Sequence, residues 1–132
     1  MTFGRAGEKA ACEYLRQNGY KILASNYIAG GGELDIVALK KGVLVFAEVK
    51  TRSSDCFGTP AEAVGEKKIA CLRSAAAAFI FEQGKNNKVT IFLPFRLRIK
   101  KRFCQTRNDI IEVYMRKNDF SPYKINRIKD AF

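Results

Sequence analysis

Apolar and polar positions alternate with two different periods along this chain, and the switches between them mark its elements. From Gly4 to Asn18, Ala10, Ala11, Tyr14 and Leu15 recur at helical spacing, and Asn18-Gly19 supplies a left-handed stop, so a first helix is expected there. Tyr20–Asn26 reads as a strand, and 27–32, ending in three glycines, as a loop whose flexible lip would let a ligand backbone approach. Two apolar runs, Leu34–Leu39 and Val43–Val49, then flank the turn Lys40-Lys41-Gly42, which is the pattern of a β-hairpin inside a core.

Beyond the hairpin, 53–58 is a loop, and Thr59-Pro60-Ala61-Glu62 is a capping box that starts a helical turn. Gly65 marks a break, after which Ile69, Leu72, Ala75 or Ala76, and Phe79 or Ile80 form the stripe of a longer helix ending near Gly84. Lys88–Leu93 is strand-like, with Pro94 making it an edge or an end. From Phe95 to Lys100 apolar and basic residues alternate strictly, which predicts a strand with an oily face and a face carrying Arg96, Arg98 and Lys100. That cationic face either tracks phosphates or protects a sheet edge. Arg107–Met115 reads as the last strand. The order predicts one α/β domain over residues 1–132, with a central mixed sheet flanked by helices.

Charge adds a partner to this picture. The chain carries 24 Lys and Arg against 13 Asp and Glu, a formal net charge of +11. Residues 85–132 hold 13 of the basic and only 4 of the acidic side chains, a bias that suits nucleic acid. No basic amphipathic helix offers exposed aromatics for a membrane, no segment has the build of a bilayer span, and the start lacks the pattern of a signal peptide, so a cytoplasmic location is expected. The four cysteines have no Cys-x-x-Cys spacing, and there is no histidine. A zinc site or a Cys-His nucleophile is thereby disfavoured, and the cysteines read as buried small hydrophobes.

The chemistry concentrates in the hairpin. Alternation puts Glu33 and Asp35 on one side of its first strand and Glu48 and Lys50 on one side of its second, so three carboxylates and an amine are expected to converge at one end. Apolar strands rarely carry such groups unless they are paired or bind a metal. Oxygen ligands on a rigid sheet suit Mg²⁺ or Mn²⁺, and a neighbouring lysine can orient a water for attack on phosphorus. Glu-x-Lys alone is equally an ordinary cross-strand charge pair; the acids upstream, in matching phase, favour the catalytic reading.

Glu33-Leu34-Asp35, a hairpin, and then Glu48-Val49-Lys50-Thr51-Arg52 closely resemble the bacterial YraN family of predicted endonucleases, related to archaeal Holliday-junction resolvases in the PD-(D/E)xK nuclease superfamily. The opening Gly4-x-x-Gly7-Glu8-x-x-Ala11-x-x-Tyr14-Leu15 and the ending 128–132 are similar to that family as well. The resemblance implies a restriction-endonuclease-like fold and a metal-dependent DNA endonuclease. It places Asp35 and Glu48 on the metal with the Val49 carbonyl, Lys50 at the attacking water, and Glu8 or Glu33 in outer roles. Thr51 and Arg52 would hold the adjacent phosphate, Arg52 equally serving as an ion-pair partner; Lys67, which lies with Lys68 and Arg73 off the stripe of the second helix, matches a recurrent family lysine and would contact phosphate, a solvated basic face being the equal alternative for all three. Related resolvases work as dimers, so a homodimer is implied. The chain departs from the family at Asn108, where a phenylalanine is usual, and in the stretch Val89–Thr106, which is usually shorter. A catalytically idle nucleic-acid-binding protein is the alternative.

Overall fold

A computed structural model describes residues 1–53 and 65–132; the capping box at Thr59–Glu62 and Cys56 lie outside the described residues. The first helix, α1, spans Phe3–Gln17. The Thr2 hydroxyl accepts the Arg5 N–H at 3.1 Å, and Ala6, Gly7, Ala11 and Leu15 form its buried stripe. Asn18 closes it, its side-chain amide donating to the Tyr14 carbonyl at 2.8 Å. Strands β1 (Lys21–Ala29), β2 (Gly32–Lys40) and β3 (Val43–Arg52) follow as an antiparallel meander. Lys41 and Gly42 both have positive φ, the geometry that a tight hairpin turn demands.

Helix α2 (Glu66–Gln83) starts at Gly65 and buries Leu72, Ala75 and Phe79, the expected stripe. Strands β4 (Lys88–Phe92) and β5 (Arg98–Arg102) form a separate antiparallel pair, while β6 (Gln105–Met115) and β7 (Pro122–Ile128) complete a five-stranded sheet in the order β1-β2-β3-β6-β7. Among the described strands only β3 and β6 run parallel, so the connection between them has to cross over, and it carries α2 and the β4–β5 pair. The sheet lies between two apolar clusters. On one face Leu34, Val37, Leu39, Leu44 and Phe46 pack under α2 with Val89, Ile91 and Phe103; on the other, Ile36, Val45, Ile111, Val113 and Met115 pack under α1. Each fully buried aliphatic side chain contributes about 1.5–3 kcal/mol, so these two layers hold the sheet in register.

Several expectations are corrected here. Strand β1 continues to Ala29 instead of ending at Asn26, because Tyr27, Ile28 and Ala29 pair with Leu34, Glu33 and Gly32. Two of the three glycines have a packing role as well: a Cβ on Gly30 would stand 2.7 Å from the Ser74 carbonyl oxygen and one on Gly32 2.5 Å from that of Cys71, so they let α2 sit against the turn, while Gly31 faces open space. The Ser74 hydroxyl donates to the Gly30 carbonyl at 2.6 Å and fixes that contact. Phe95–Lys100 is not a continuous strand, since Phe95 and Arg96 sit at φ of 63° and 60° in a tight turn between β4 and β5. Only Arg98 and Lys100 share a strand, and Arg96 leaves their face. Of the described cysteines, Cys12 and Cys71 are half-buried and Cys104 is exposed, so none is the fully buried hydrophobe that was expected. Strand β7 was not anticipated at all.

Candidate active site

The β2–β3 ladder ends at the pair Ile36–Ala47. Leu34 packs with the α2-side cluster and Ile36 with the α1-side cluster, so strict alternation fails between them. Asp35 sits at that slip, released from the ladder, and its Oδ2 accepts the Val49 N–H across the gap at 2.8 Å. Glu48, one residue beyond the last rung on β3, is only 5% exposed. Its Oε1 lies 3.7 Å from Lys50 Nζ and 3.6 Å from Lys68 Nζ, the latter contributed by the first turns of α2. Its Oε2 is buried and has no hydrogen-bond partner among the described residues.

Two carboxylates in this confined space repel each other. Burial, and then the charge of Glu48, push the Asp35 carboxyl up to about 6, against the Val49 N–H, which favours the ionised form. A cation between Asp35 and Glu48 would relieve that repulsion and satisfy the orphaned Glu48 oxygen. Asp35 and Glu48 therefore offer oxygen donors of the kind that a hard divalent ion takes.

The structure does not gather every expected member. Glu33 is exposed, and Glu8 lies on the α1 side, lining a different cleft with Arg5, Lys9, Cys12, Ser25 and Asn26. Glu8 Oε2 is buried without a hydrogen-bond partner among the described residues, with Arg5 3.8 Å away. Among the described residues no group of three or more acidic, Cys or His side chains stands close enough to hold a metal, so the expected convergence of three carboxylates is reduced to two. The physical reason is the slip in β2, which separates Glu33 from the phase of Asp35.

Thr51 packs against α1: a Cβ on Gly7 would fall 2.0 Å from its Oγ1. Arg52 Nε stands 3.8 Å from Glu112 Oε2, the ion-pair role of the two considered for it. Lys67 is exposed on α2, while its neighbour Lys68 reaches Glu48.

Lys68 lies off the α2 stripe with Lys67 and Arg73, on a basic face whose spacing does not say which cation reaches the acids; the structure selects Lys68. Glu112 is missed by sequence reasoning although it leaves a signal, for it interrupts the apolar run of β6 as Glu48 interrupts β3. It is 2% exposed, lies opposite Lys50 in the β3–β6 register, and accepts from Asn126 Nδ2 at 3.0 Å and from the Tyr114 hydroxyl at 3.2 Å. Asp109, by contrast, is spent on structure: Arg107 grips it through two bonds of 2.8 and 2.9 Å, and the Asp130 N–H adds a third at 3.0 Å.

The sequence profile of uncharacterised protein family UPF0102 matches residues 7–113, which includes most of α1, the Asp35–Glu48 pair and most of β6. The chain belongs to this family. A UPF0102 protein of Alkaliphilus oremlandii is 38% identical over 129 residues, covering 98% of this chain and 96% of its own. One of Caldanaerobacter subterraneus subsp. tengcongensis is 39% identical over 131 residues, covering 99% and 94%. One of Carboxydothermus hydrogenoformans is 52% identical over a shorter span of 79 residues, covering 60% and 67%. Membership is thus shown over nearly the whole chain, and these names attach no activity to it.

Proposed function

We propose that this UPF0102 protein is a divalent-metal-dependent endonuclease acting on DNA phosphodiesters, with a restriction-endonuclease-like fold. The observation that carries the reading is the buried Glu48 beside Asp35, with one oxygen unpartnered among the described residues and two lysines on the other. Asp35, Glu48 and the Val49 carbonyl would hold Mg²⁺ or Mn²⁺. The ion, when bound, supplies positive charge to a phosphodiester oxygen and favours the ionised form of water. Lys50 orients the attacking water and meets charge developing on the phosphate, and Lys68, 47% exposed at its side chain, is placed to share that second role. The excess of cations after residue 84 supplies sequence-independent affinity for the polyanion.

A second reading, a nucleic-acid-binding protein without catalysis, is favoured by one observation: only two carboxylates come together among the described residues. One experiment separates the two. Labelled branched and linear DNAs are incubated with the protein, with Mg²⁺ or Mn²⁺ or with chelator, beside Asp35→Ala, Glu48→Ala and Lys50→Ala. The expected result is metal-dependent cleavage that each substitution lowers by about 100-fold or more while DNA binding persists. Undiminished cleavage by Glu48→Ala would remove the assignment. DNA binding without cleavage of any substrate, and with equal Mg²⁺ uptake by wild type and Glu48→Gln, would establish the second reading.

A further inference from the structure

A different cleft lies at the opposite end of β2 and β3, where the β2–β3 turn meets the β4–β5 pair. It has a volume of about 310 Å³. Lys40 is five residues from Asp35 along β2, which at about 3.4 Å per residue puts the cleft roughly 17 Å from the carboxylate pair. Its floor is apolar, made by Leu39, Ile91, Leu93 and Ile99. Its rim carries Lys21, Lys40, Lys41, Lys101 and Arg102, and among the described residues no acidic side chain lines it. None of these five cations forms an ion pair with another described residue.

Five like charges around one recess repel one another, and that repulsion is relieved by an anion. One of them is already fixed in place. Lys40 Nζ donates to the Asn18 carbonyl at 2.6 Å and stands 5.3 Å from the centre of the Tyr20 ring, so little side-chain freedom remains to be given up on binding. The turn offers Gly42 at φ 78°, a position without a Cβ on the cleft wall.

An apolar floor beside a cationic rim calls for a ligand with the same division: a flat, weakly polar body joined to a phosphate. The volume is at the lower end of the range of ligand clefts, about 300–1,000 Å³, and suits one such unit. We infer that this cleft binds a nucleoside phosphate, with the base against Leu39, Ile91 and Ile99 and the phosphate held by Lys41, Lys101 and Arg102. The unit is either a free mononucleotide or one residue of a nucleic-acid strand, since the chemistry is shared. This binding stands apart from the proposed cleavage, because none of its residues belongs to the carboxylate site.

Calorimetric titration of the full chain with adenosine monophosphate, with inorganic phosphate and with a short single-stranded oligonucleotide tests it, all at low salt. Two exposed lysines are removed in Lys41→Ala/Lys101→Ala, and two exposed lysines outside the cleft in the control Lys9→Ala/Lys117→Ala, which changes the net charge equally. Removing two charge-assisted hydrogen bonds is expected to weaken nucleotide or oligonucleotide binding by about tenfold or more, with the control near wild type. Ile99→Asn, at a partly exposed floor position, should weaken the nucleotide and leave inorganic phosphate unchanged. Binding of the oligonucleotide alone, sensitive to the cleft pair, would identify a strand as the source; binding of the mononucleotide, a free ligand. Equal weakening in cleft and control variants, equal affinity for phosphate and nucleotide, or no binding of either nucleotide form would overturn the inference. Circular dichroism of each variant secures that weaker binding is not unfolding.

Discussion

Asp35 is the residue in which local backbone and chemistry meet. It holds its proton more tightly folded, at about 6, than at its ordinary value of 3.8. Between those values the folded state binds more protons than the unfolded one, so stability falls as pH rises through the window, and the full repulsion is present above about 6. Asp35→Asn keeps an acceptor for the Val49 N–H and removes the charge. It should therefore stabilise the metal-free protein at pH 7, on the order of 1–2 kcal/mol after solvent screening. At pH 4 the gain should vanish. Urea unfolding at both pH values, with chelator present, checks this; an equal gain at both would show that burial and the charge of Glu48 do not raise the Asp35 carboxyl. The slip that frees Asp35 was invisible in the sequence, where alternation set Glu33 and Asp35 side by side. Alternation is enforced most strictly where a strand is paired on both sides, and beyond Ile36 strand β2 keeps its pairing with β1 but has lost β3.

Among the elements, α1 is held tightly against β3, the strand that carries Glu48 and Lys50. Gly7 touches Thr51 so tightly that any side chain there collides with Thr51 Oγ1 at 2.0 Å, and Thr51 is too short to swing clear. Gly7→Ala should push α1 off β3 and destabilise the fold by about 1–3 kcal/mol, the usual consequence of overpacking, despite the better helix propensity of alanine. Thermal unfolding measures it, and an unchanged midpoint would show that the helix shifts freely. The helix itself was legible, since its stripe and its Asn18-Gly19 stop are local signals. The contact was not, because nothing in the spacing of residues 7 and 51 announces that they meet.

For the whole molecule, the charge distribution is the governing feature. Arg98 and Lys100 lie on exposed β5 within the most basic third of the chain, so they should bind phosphates and take no part in the chemistry. Each phosphate that the protein no longer neutralises flattens the slope of log affinity against log salt for duplex DNA by about 0.9. In Arg98→Ala/Lys100→Ala that slope should therefore flatten by up to about 1.8. Weakening should be alike for all sequences, and metal-dependent cleavage at saturating protein and low salt should survive. An unchanged slope would make β5 a protected sheet edge. Among the described residues no helix is long and apolar enough to cross a membrane, which agrees with the absence of such a segment in the sequence.

The sequence by itself determined α1, the β2–β3 hairpin with its turn, the stripe of α2, the basic second part and the presence of charged residues inside apolar strands. All of these are written in neighbouring residues, where period, turn chemistry and charge act over a few positions. Only the tertiary structure decided which charges meet. It brought Lys68 to Glu48 and Arg52 to Glu112, left Glu33 in solvent and Glu8 on the α1 side, and made the β4–β5 pair a separate sheet whose root closes a cationic cleft against the β2–β3 turn. Those outcomes depend on the register between distant segments and on the crossover that carries α2, both set by packing across the sheet.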